Sequence, residues 1–393
     1  MLASPAIYRR VAMSSLNCCT AGHKNHGIPI SPLDKKFRLF YNATGCINSR
    51  EWKKKMTDKS VQTIADIARI CCVSKSTVSR ALSDSSLIST ETKERIQAVA
   101  KEHHFQINIP ARRLSLKRSR TIAYVVNGHH IKNTSQADLF VMEILGAISG
   151  TLSTNHYDLL VASVDPNDPD WPHQYLDTGR VDGFILLTSS RKQYHIQTLV
   201  EMQAPFIVWN NVCLPDGTYC SVSSDNFSGG KQAAWHLLQR GRRRIAFVGG
   251  PEYEYEAQRR YDGYAAALQE NGLAVDPALV TYGHWDIDSA ARQMRQLLER
   301  APDLDAVFAN SDMMAVGAIN VLRESGRRVP QDVAVVGYDD LAIAKFSSPA
   351  LTTISQNIPL VGQLLAQNLI QNIETGLVTT VTIPAELVIR ESS

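Results

Sequence analysis

The sequence predicts an α/β protein in unequal parts: a small basic head of three helices with a hinge segment, then a large acidic body of two doubly wound parallel-sheet lobes. Three observations predict it. Apolar residues between Val61 and Phe105 recur at helical spacing in three short stripes, and from Thr121 onward short β-rich runs alternate with helical segments. Charge is also partitioned: residues 1–55 carry ten Lys or Arg against two acids, residues 56–120 twelve against six, and residues 121–393 nineteen against thirty. A compact basic segment on an acidic body implies a polyanion-binding head joined to something with another task.

The composition is otherwise that of a globular chain long enough for two or three domains, with 393 residues, 44% hydrophobic, 20% charged and a formal net charge of +3. No run of about 18 apolar residues occurs, which argues against a membrane-spanning helix and a membrane partner. Seven cysteines, including the adjacent pairs Cys18–Cys19 and Cys71–Cys72, have neither the even count nor the spacing of a disulfide framework. No CxxC zinc knuckle is present, so a reducing, cytoplasmic compartment is expected, with neither metal nor cofactor.

Residues 1–55 have no sustained period and receive no fold. Two readings are open. Translation begins at Met56, just after Lys53, Lys54 and Lys55, or the stretch is a disordered basic arm that adds non-specific DNA affinity.

The head spans residues 56–106. Ile64, Ile67, Ala68 and Cys71 form the first stripe, Val78, Ala81 and Leu82 the second, and Ile96, Val99 and Ala100 the third. Thr63, Ser74 and Ser89 precede these stripes and are expected N-caps. The first two helices leave room for a turn of only about three or four residues, which is helix-turn-helix spacing. The second helix turns Lys75, Ser76 and Arg80 away from its apolar side, where long donors can reach guanine edges in a major groove; Ser74, Thr77 and Ser79 supply hydroxyls for phosphates.

The stretch TIADIARICCVSKSTVSRAL resembles, nearly position for position, the N-terminal helix-turn-helix of the lactose-repressor (LacI/GalR-type) family of bacterial transcription regulators. The resemblance runs through ISTETKERIQAVAKEHHF and NIPARRLSLKRSRTIAYV and covers essentially residues 61–391. Two departures stand out. Cys71 and Cys72 occupy the place of the family's usual Ala-Gly, so a position that favours glycine's positive φ is expected to be strained by cysteine; Cys72 is read either as a buried, inert thiol or as a redox-sensitive one. In the hinge, residues 107–119, Ile107, Ile109 and Pro110 replace a more usual pattern, with Pro110 in the first turn if Asn108 caps a helix. By resemblance, the hinge carries Asn108, Ala111, Arg112 and Leu114 to the minor groove. Leu114 is the wedge, and Arg112, Arg113, Lys117 and Arg118 are the cations that hold a kinked backbone.

In the body, residues 120–393, the strand candidates in order are TIAYVV, DLLVAS, GFILLT, FIVW, RIAFVG, DAVFAN, VAVVGY and LVIRE, and a further short strand, VTYG, precedes Trp285. Their near-continuous apolar character says both faces of each sheet are covered, and the length suits two lobes. The resemblance implies periplasmic-binding-protein-like lobes joined by three crossovers, near residues 223–228, 354–358 and 383–387. Enzyme motifs are missing. No GxGxxG follows a strand, no GxSxG or HExxH occurs, and the phosphate-loop-like Gly230–Lys231 has Asp225 where the first glycine belongs. No catalysis and no catalytic residue is expected, and adjacent Asp339 and Asp340 read as ligand or cap groups.

Ligands of open α/β sheets sit at the carboxyl ends of strands. Those ends present Asp138, Phe140, Arg260, Trp285, Ser311 and Asp339, which match the family's effector-contacting positions, with Gln356 added at a crossover. An Arg fork, carboxylates and aromatic planes suit a neutral polyhydroxylated ligand, first a carbohydrate and second a purine or other metabolite; Phe140 and Trp285 serve equally well as core. The expectation is a homodimeric, ligand-controlled regulator, foremost a repressor, on palindromic double-stranded DNA. The alternative is a sugar- or purine-sensing protein without specific DNA binding.

Overall fold

The computed structural model describes residues 63–105, 118–127, 139–165, 168–187, 193–210 and 218–393. Residues 1–55, the hinge positions Asn108, Ala111, Arg112 and Leu114, and Asp138 lie outside the described residues. The chain divides into two compact units, Met1–Ile107 and Asn108–Ser393.

In the first unit, α1 (Ile64–Ile70), α2 (Lys75–Leu82) and α3 (Thr90–Glu102) close one core around Ile67, Val78, Ala81 and Ile96. Thr63 and Asp66 form a reciprocal capping box at the start of α1, and the Ser74 hydroxyl accepts the Thr77 N–H at the start of α2. Ser89 departs from expectation. Its hydroxyl donates to Thr92 Oγ1 and caps no backbone N–H.

The turn between α1 and α2 shows what the Cys71–Cys72 departure does. Cys72 N–H donates to Arg69 O and Val73 N–H to Ala68 O, a Schellman closure that places Cys72 in the left-handed region at φ 53°. Cys71 is buried and Cys72 is exposed, which corrects the reading of Cys72 as a buried thiol. A side chain at this φ costs on the order of 1 kcal/mol relative to glycine. Cys72→Gly is therefore expected to stabilise the head by about that amount and raise amide-exchange protection in α1 and α2; unchanged or lower protection would contradict the strain.

In the second unit the first sheet has the order β11-β5-β4-β3-β1-β2 and is parallel throughout: β1 (Thr121–Asn127), β2 (Asp158–Val164), β3 (Gly183–Leu187), β4 (Phe206–Trp209), β5 (Cys220–Ser224) and β11 (Thr380–Ile383). Side chains alternate across it. Ile122 and Tyr124 enter a core with α4 (Leu139–Thr154) and α12 (Ile358–Thr375), while Ala123 and Phe184 enter one with α5 (Trp171–Leu176) and α6 (Gln193–Glu201).

The second sheet, β7-β6-β8-β9, is also parallel: β6 (Ile245–Gly249), β7 (Val280–Tyr282), β8 (Ala306–Ala309) and β9 (Ala334–Val336). Phe247 and Phe308 face α7 (Asn226–Gln239) and α8 (Tyr255–Glu270), and Val248 and Val307 face α9 (Ile287–Arg300) and α10 (Asp312–Glu324). A short α11 (Ala342–Phe346) follows β9, and β10 (Thr353–Ser355) pairs antiparallel with β12 (Glu386–Val388).

Chain order takes the backbone between lobes three times: from β5 into α7, from β10 into α12, and from β11 into β12. The expected crossovers fall there. All eight of the strand candidates first named are present, and VTYG forms β7, although LVIRE contributes only a three-residue strand that begins at Glu386. Sequence reading passed over β5, β10 and β11. Their Ser and Thr residues mimic loop chemistry, yet Ser223 and Thr382 bond across strands at 3.1 Å and Ser221 is buried.

Candidate functional site

On the head, Val78 and Ala81 are buried against the core, which leaves Lys75, Ser76, Ser79 and Arg80 exposed on one face of α2. Helical spacing makes these four neighbours, so two cations and two hydroxyls share one surface. Ser74 and Thr77 are largely occupied. Ser74 Oγ lies 2.7 Å from Ser76 Oγ and 2.8 Å from Thr77 Oγ1 while it caps α2.

In the body the best-formed constellation surrounds Arg260, one turn beyond the start of α8 and 4% exposed. Its Nε donates to Asn226 Oδ1 at 2.8 Å, its Nη1 donates to Asn310 O at 2.5 Å, and Asp339 Oδ1 lies 4.0 Å from Nη1. The guanidinium lies 3.7 Å over the Tyr338 ring and 5.4 Å from the Trp285 ring centroid. Gln356 Nε2 donates to Asp339 Oδ1 at 2.7 Å. Burial pushes the Tyr338 hydroxyl up to about 12, against the pull of the Arg260 charge.

Two glycine contacts make this approach possible. A Cβ on Gly230 would collide with the Arg260 backbone, so glycine lets α7 and α8 close until Asn226 meets the guanidinium; one on Gly250 would strike the Trp285 indole. Gly230 thus serves helix packing, and Asp225 caps α7 by accepting the Ser228 N–H. Trp285 (φ 65°), Asp339 (φ 113°), Asp340 (φ 59°) and Asn357 (φ 51°) hold left-handed backbone around this place. Such concentrations of strain mark functional sites.

The lobes meet nearby. Asn210, just past β4, donates from Nδ2 to Glu256 Oε1 at 2.8 Å, and Glu143 Oε1 on α4 accepts the Ala342 N–H at 2.9 Å. Glu256 sits one helical turn before Arg260, and burial raises its carboxyl pKa while Arg260 and the Asn210 amide oppose the rise. A cavity of about 160 Å³ opens between the lobes, lined by Asn210, Ser224, Asn226, Phe227, Tyr255 and Arg259. It adjoins the Arg260 constellation through Asn226.

Comparison with known proteins decides the family. Residues 63–108 match the model of bacterial regulatory proteins of the lacI family, and residues 234–393 match a periplasmic-binding-protein-like domain. The transcriptional regulator CelR of Thermobifida fusca is 36% identical over 334 residues, 84% of this chain and 98% of that protein. The chain belongs to the LacI family. The ribose operon repressor of Haemophilus influenzae is 30% identical over 79% of this LacI-family regulator and 92% of its own length. Among solved structures, the CelR–cellobiose complex superposes with a TM-score of 0.64 at 34% identity, covering 84% of this chain and 99% of that one. The lac repressor dimer bound to operator and the anti-inducer ONPF gives 0.72 at 27% identity, over 85% and 99%.

Within this LacI-family regulator the expected effector residues are distributed as follows. Arg260, Trp285, Asp339 and Gln356 are brought together. Ser311 adjoins them, but its Oγ accepts the Met314 N–H as the cap of α10. Phe140 lies on the first turn of α4, packed on the first lobe's core with its ring 6.4 Å from Trp209. Asp340 is turned away from Asp339, to Arg390 at 2.5 Å.

Sequence reading missed Asn226, Glu256, Asn310 and Asp312. Asp312 is completely buried and accepts from Leu341 N–H at 2.7 Å and Thr353 Oγ1 at 2.5 Å, so one carboxyl holds the loop after β9 to the second crossover. Burial first, and then the charge of Asp339, push its pKa well above the ordinary carboxylate value. The native state keeps this proton to higher pH than the unfolded chain, so stability present below the ordinary carboxylate range is lost as pH rises toward the native value. Asp312→Asn preserves the acceptor for Leu341 and can donate to the Thr353 hydroxyl. Its melting temperature relative to the parent is expected to climb as pH rises above about 4; parallel pH profiles would show that Asp312 does not titrate this way.

Proposed function

We propose that this LacI-family regulator is a cytoplasmic, homodimeric transcriptional repressor that reads a palindromic operator and takes a neutral carbohydrate as effector. The observation that carries the effector class is the Arg260 constellation: one guanidinium, one carboxylate, a carboxamide and the Trp285 ring converge, and among the described residues the other cation at the adjoining cavity, Arg259, is paired with Asp262. The cellobiose bound by CelR supports the same class. The face of Lys75, Ser76, Ser79 and Arg80 supports DNA reading over a sensor without a working head.

Residues 56–106 form the DNA-binding domain in this proposal, 107–119 the hinge with Asn108, Ala111, Arg112 and Leu114 at the minor groove, and 120–393 the effector and dimerisation body. Phe346, 85% exposed on α11, offers apolar area to a second copy. Effector binding changes the lobe arrangement and thereby the hinge, a coupling on the order of 1–3 kcal/mol that must be reciprocal. The protein carries out no catalysis in this reading.

The test is fluorescence anisotropy of the full chain on DNA from its own upstream region, at stated salt, with and without cellobiose, ribose and a purine. Competitor-resistant binding shifted by a sugar supports the proposal. A shift by the purine alone overturns the carbohydrate class, and a failure to prefer any DNA sequence overturns the regulator mechanism.

A further inference from the structure

Asn310 is wholly buried, and neither its Oδ1 nor its Nδ2 has a hydrogen-bond partner among the described residues. Its backbone is fully engaged. Asn310 N–H continues the ladder to Val248 O at 2.9 Å, and Asn310 O accepts from Arg260 Nη1. Because the ladder persists, side-chain alternation still holds at this position. Ala306 and Phe308 face the core beneath α7 and α8, whereas Val307 and Ala309 face α9 and α10. The Asn310 carboxamide therefore lies on the Phe308 side, where Arg260 stacks on Tyr338.

A second group nearby has unused capacity. Gln356 is 1% exposed and spends its Nε2 on Asp339, but its Oε1 has no partner among the described residues. Native interiors pair nearly all buried polar atoms, and the exceptions call for an explanation. Among the described residues, one amide nitrogen and two carbonyl oxygens are thus left over near the Arg260 guanidinium. A polar group that packs for the fold alone has its partners within the fold. These do not.

We propose that Asn310 is a specificity-determining residue of the effector site, its carboxamide pairing with a hydroxyl of the ligand while Gln356 Oε1 accepts from a neighbouring hydroxyl. The inference rests on the carbohydrate reading of the Arg260 site. A sugar hydroxyl both donates and accepts, so it can satisfy Oδ1 and Nδ2 in either amide orientation. A site whose buried polar groups need a hydroxyl rejects the analogue lacking it, because those groups then stay unpaired.

The experiment is calorimetric titration of the full chain and of Asn310→Ala with cellobiose, glucose, ribose and the monodeoxy derivatives of whichever sugar binds, together with the melting temperature of each unliganded protein. Asn310→Ala is expected to weaken the sugar by about tenfold or more. It is also expected to level the discrimination against one monodeoxy derivative. Its unliganded melting temperature should stay equal to the parent's or rise, since alanine removes a buried carboxamide that bonds none of the described residues. Unchanged sugar affinity overturns the assignment of Asn310 and leaves the carbohydrate reading standing, as does a lowered melting temperature with affinity intact, which marks an amide that serves the fold. A parent protein that binds no sugar overturns the carbohydrate reading, and this inference with it.

Discussion

Arg260→Ala is expected to abolish the effector response and to lower the stability of the body by about 3–5 kcal/mol, the range for breaking a buried ion pair from one side. Besides the Tyr338 and Trp285 rings, the side chain engages Asn226, Asn310 and Asp339. Asn226 Oδ1 and Asn310 O, both on buried residues, lose their donor, at about 1–3 kcal/mol each, and Asp339 loses the Arg260 cation. Arg260 belongs to the body and not to the head, so operator binding is expected to survive this change. With Arg260 4% exposed, that holds only below the lowered melting temperature. Arg260→Lys separates the effects, since it keeps a charge near Asp339 but cannot donate to Asn226 and Asn310 as a planar fork. The measurement is operator affinity with and without sugar, in parallel with melting. The ratio of the two affinities, about 5 to 150 for ordinary coupling, should fall to one in Arg260→Ala. A preserved ratio in a folded variant would place the effector elsewhere.

Arg80→Ala carries the second large effect, about 1–3 kcal/mol of operator affinity concentrated at one base pair. Arg80 is exposed in the last turn of α2, on the face opposite buried Val78 and Ala81, so its removal costs the head little packing. Lys75→Ala on the same face is the comparison, and Arg69→Ala is the control, since Arg69 on α1 already bonds Asp66 at 3.1 Å. Affinity is read on a set of operators that differ singly. Relaxed preference at one position identifies base reading. A uniform loss with a shallower salt dependence makes Arg80 a phosphate contact.

The parts legible in the sequence were those written as local pattern. The three apolar stripes of the head became one core, and Ile64, Leu82 and Val99 pack at its edge as their spacing requires. The cysteine at a glycine position stands at φ 53° because a Schellman turn has one geometry whatever residue fills it. Continuous apolar runs became central strands covered on both faces. β11 escaped because TVTI earns its place by pairing with CSVSS, and nothing in four residues announces a partner some 160 positions away.

What the sequence determined by itself is the architecture and the chemical kind of each site: a helix-turn-helix head, two parallel-sheet lobes, and an Arg, a Trp and carboxylates at strand ends. Tertiary structure alone decided which of those groups meet. Ser311 became a helix cap, Phe140 settled on the first lobe's core, and Asp340 went to Arg390, whereas Asn226, Asn310 and Gln356 closed around Arg260. The reason is physical. Periodicity is a property of neighbours along the chain and can be read from them, but whether a buried polar atom is satisfied depends on partners brought in by sheet order and helix packing.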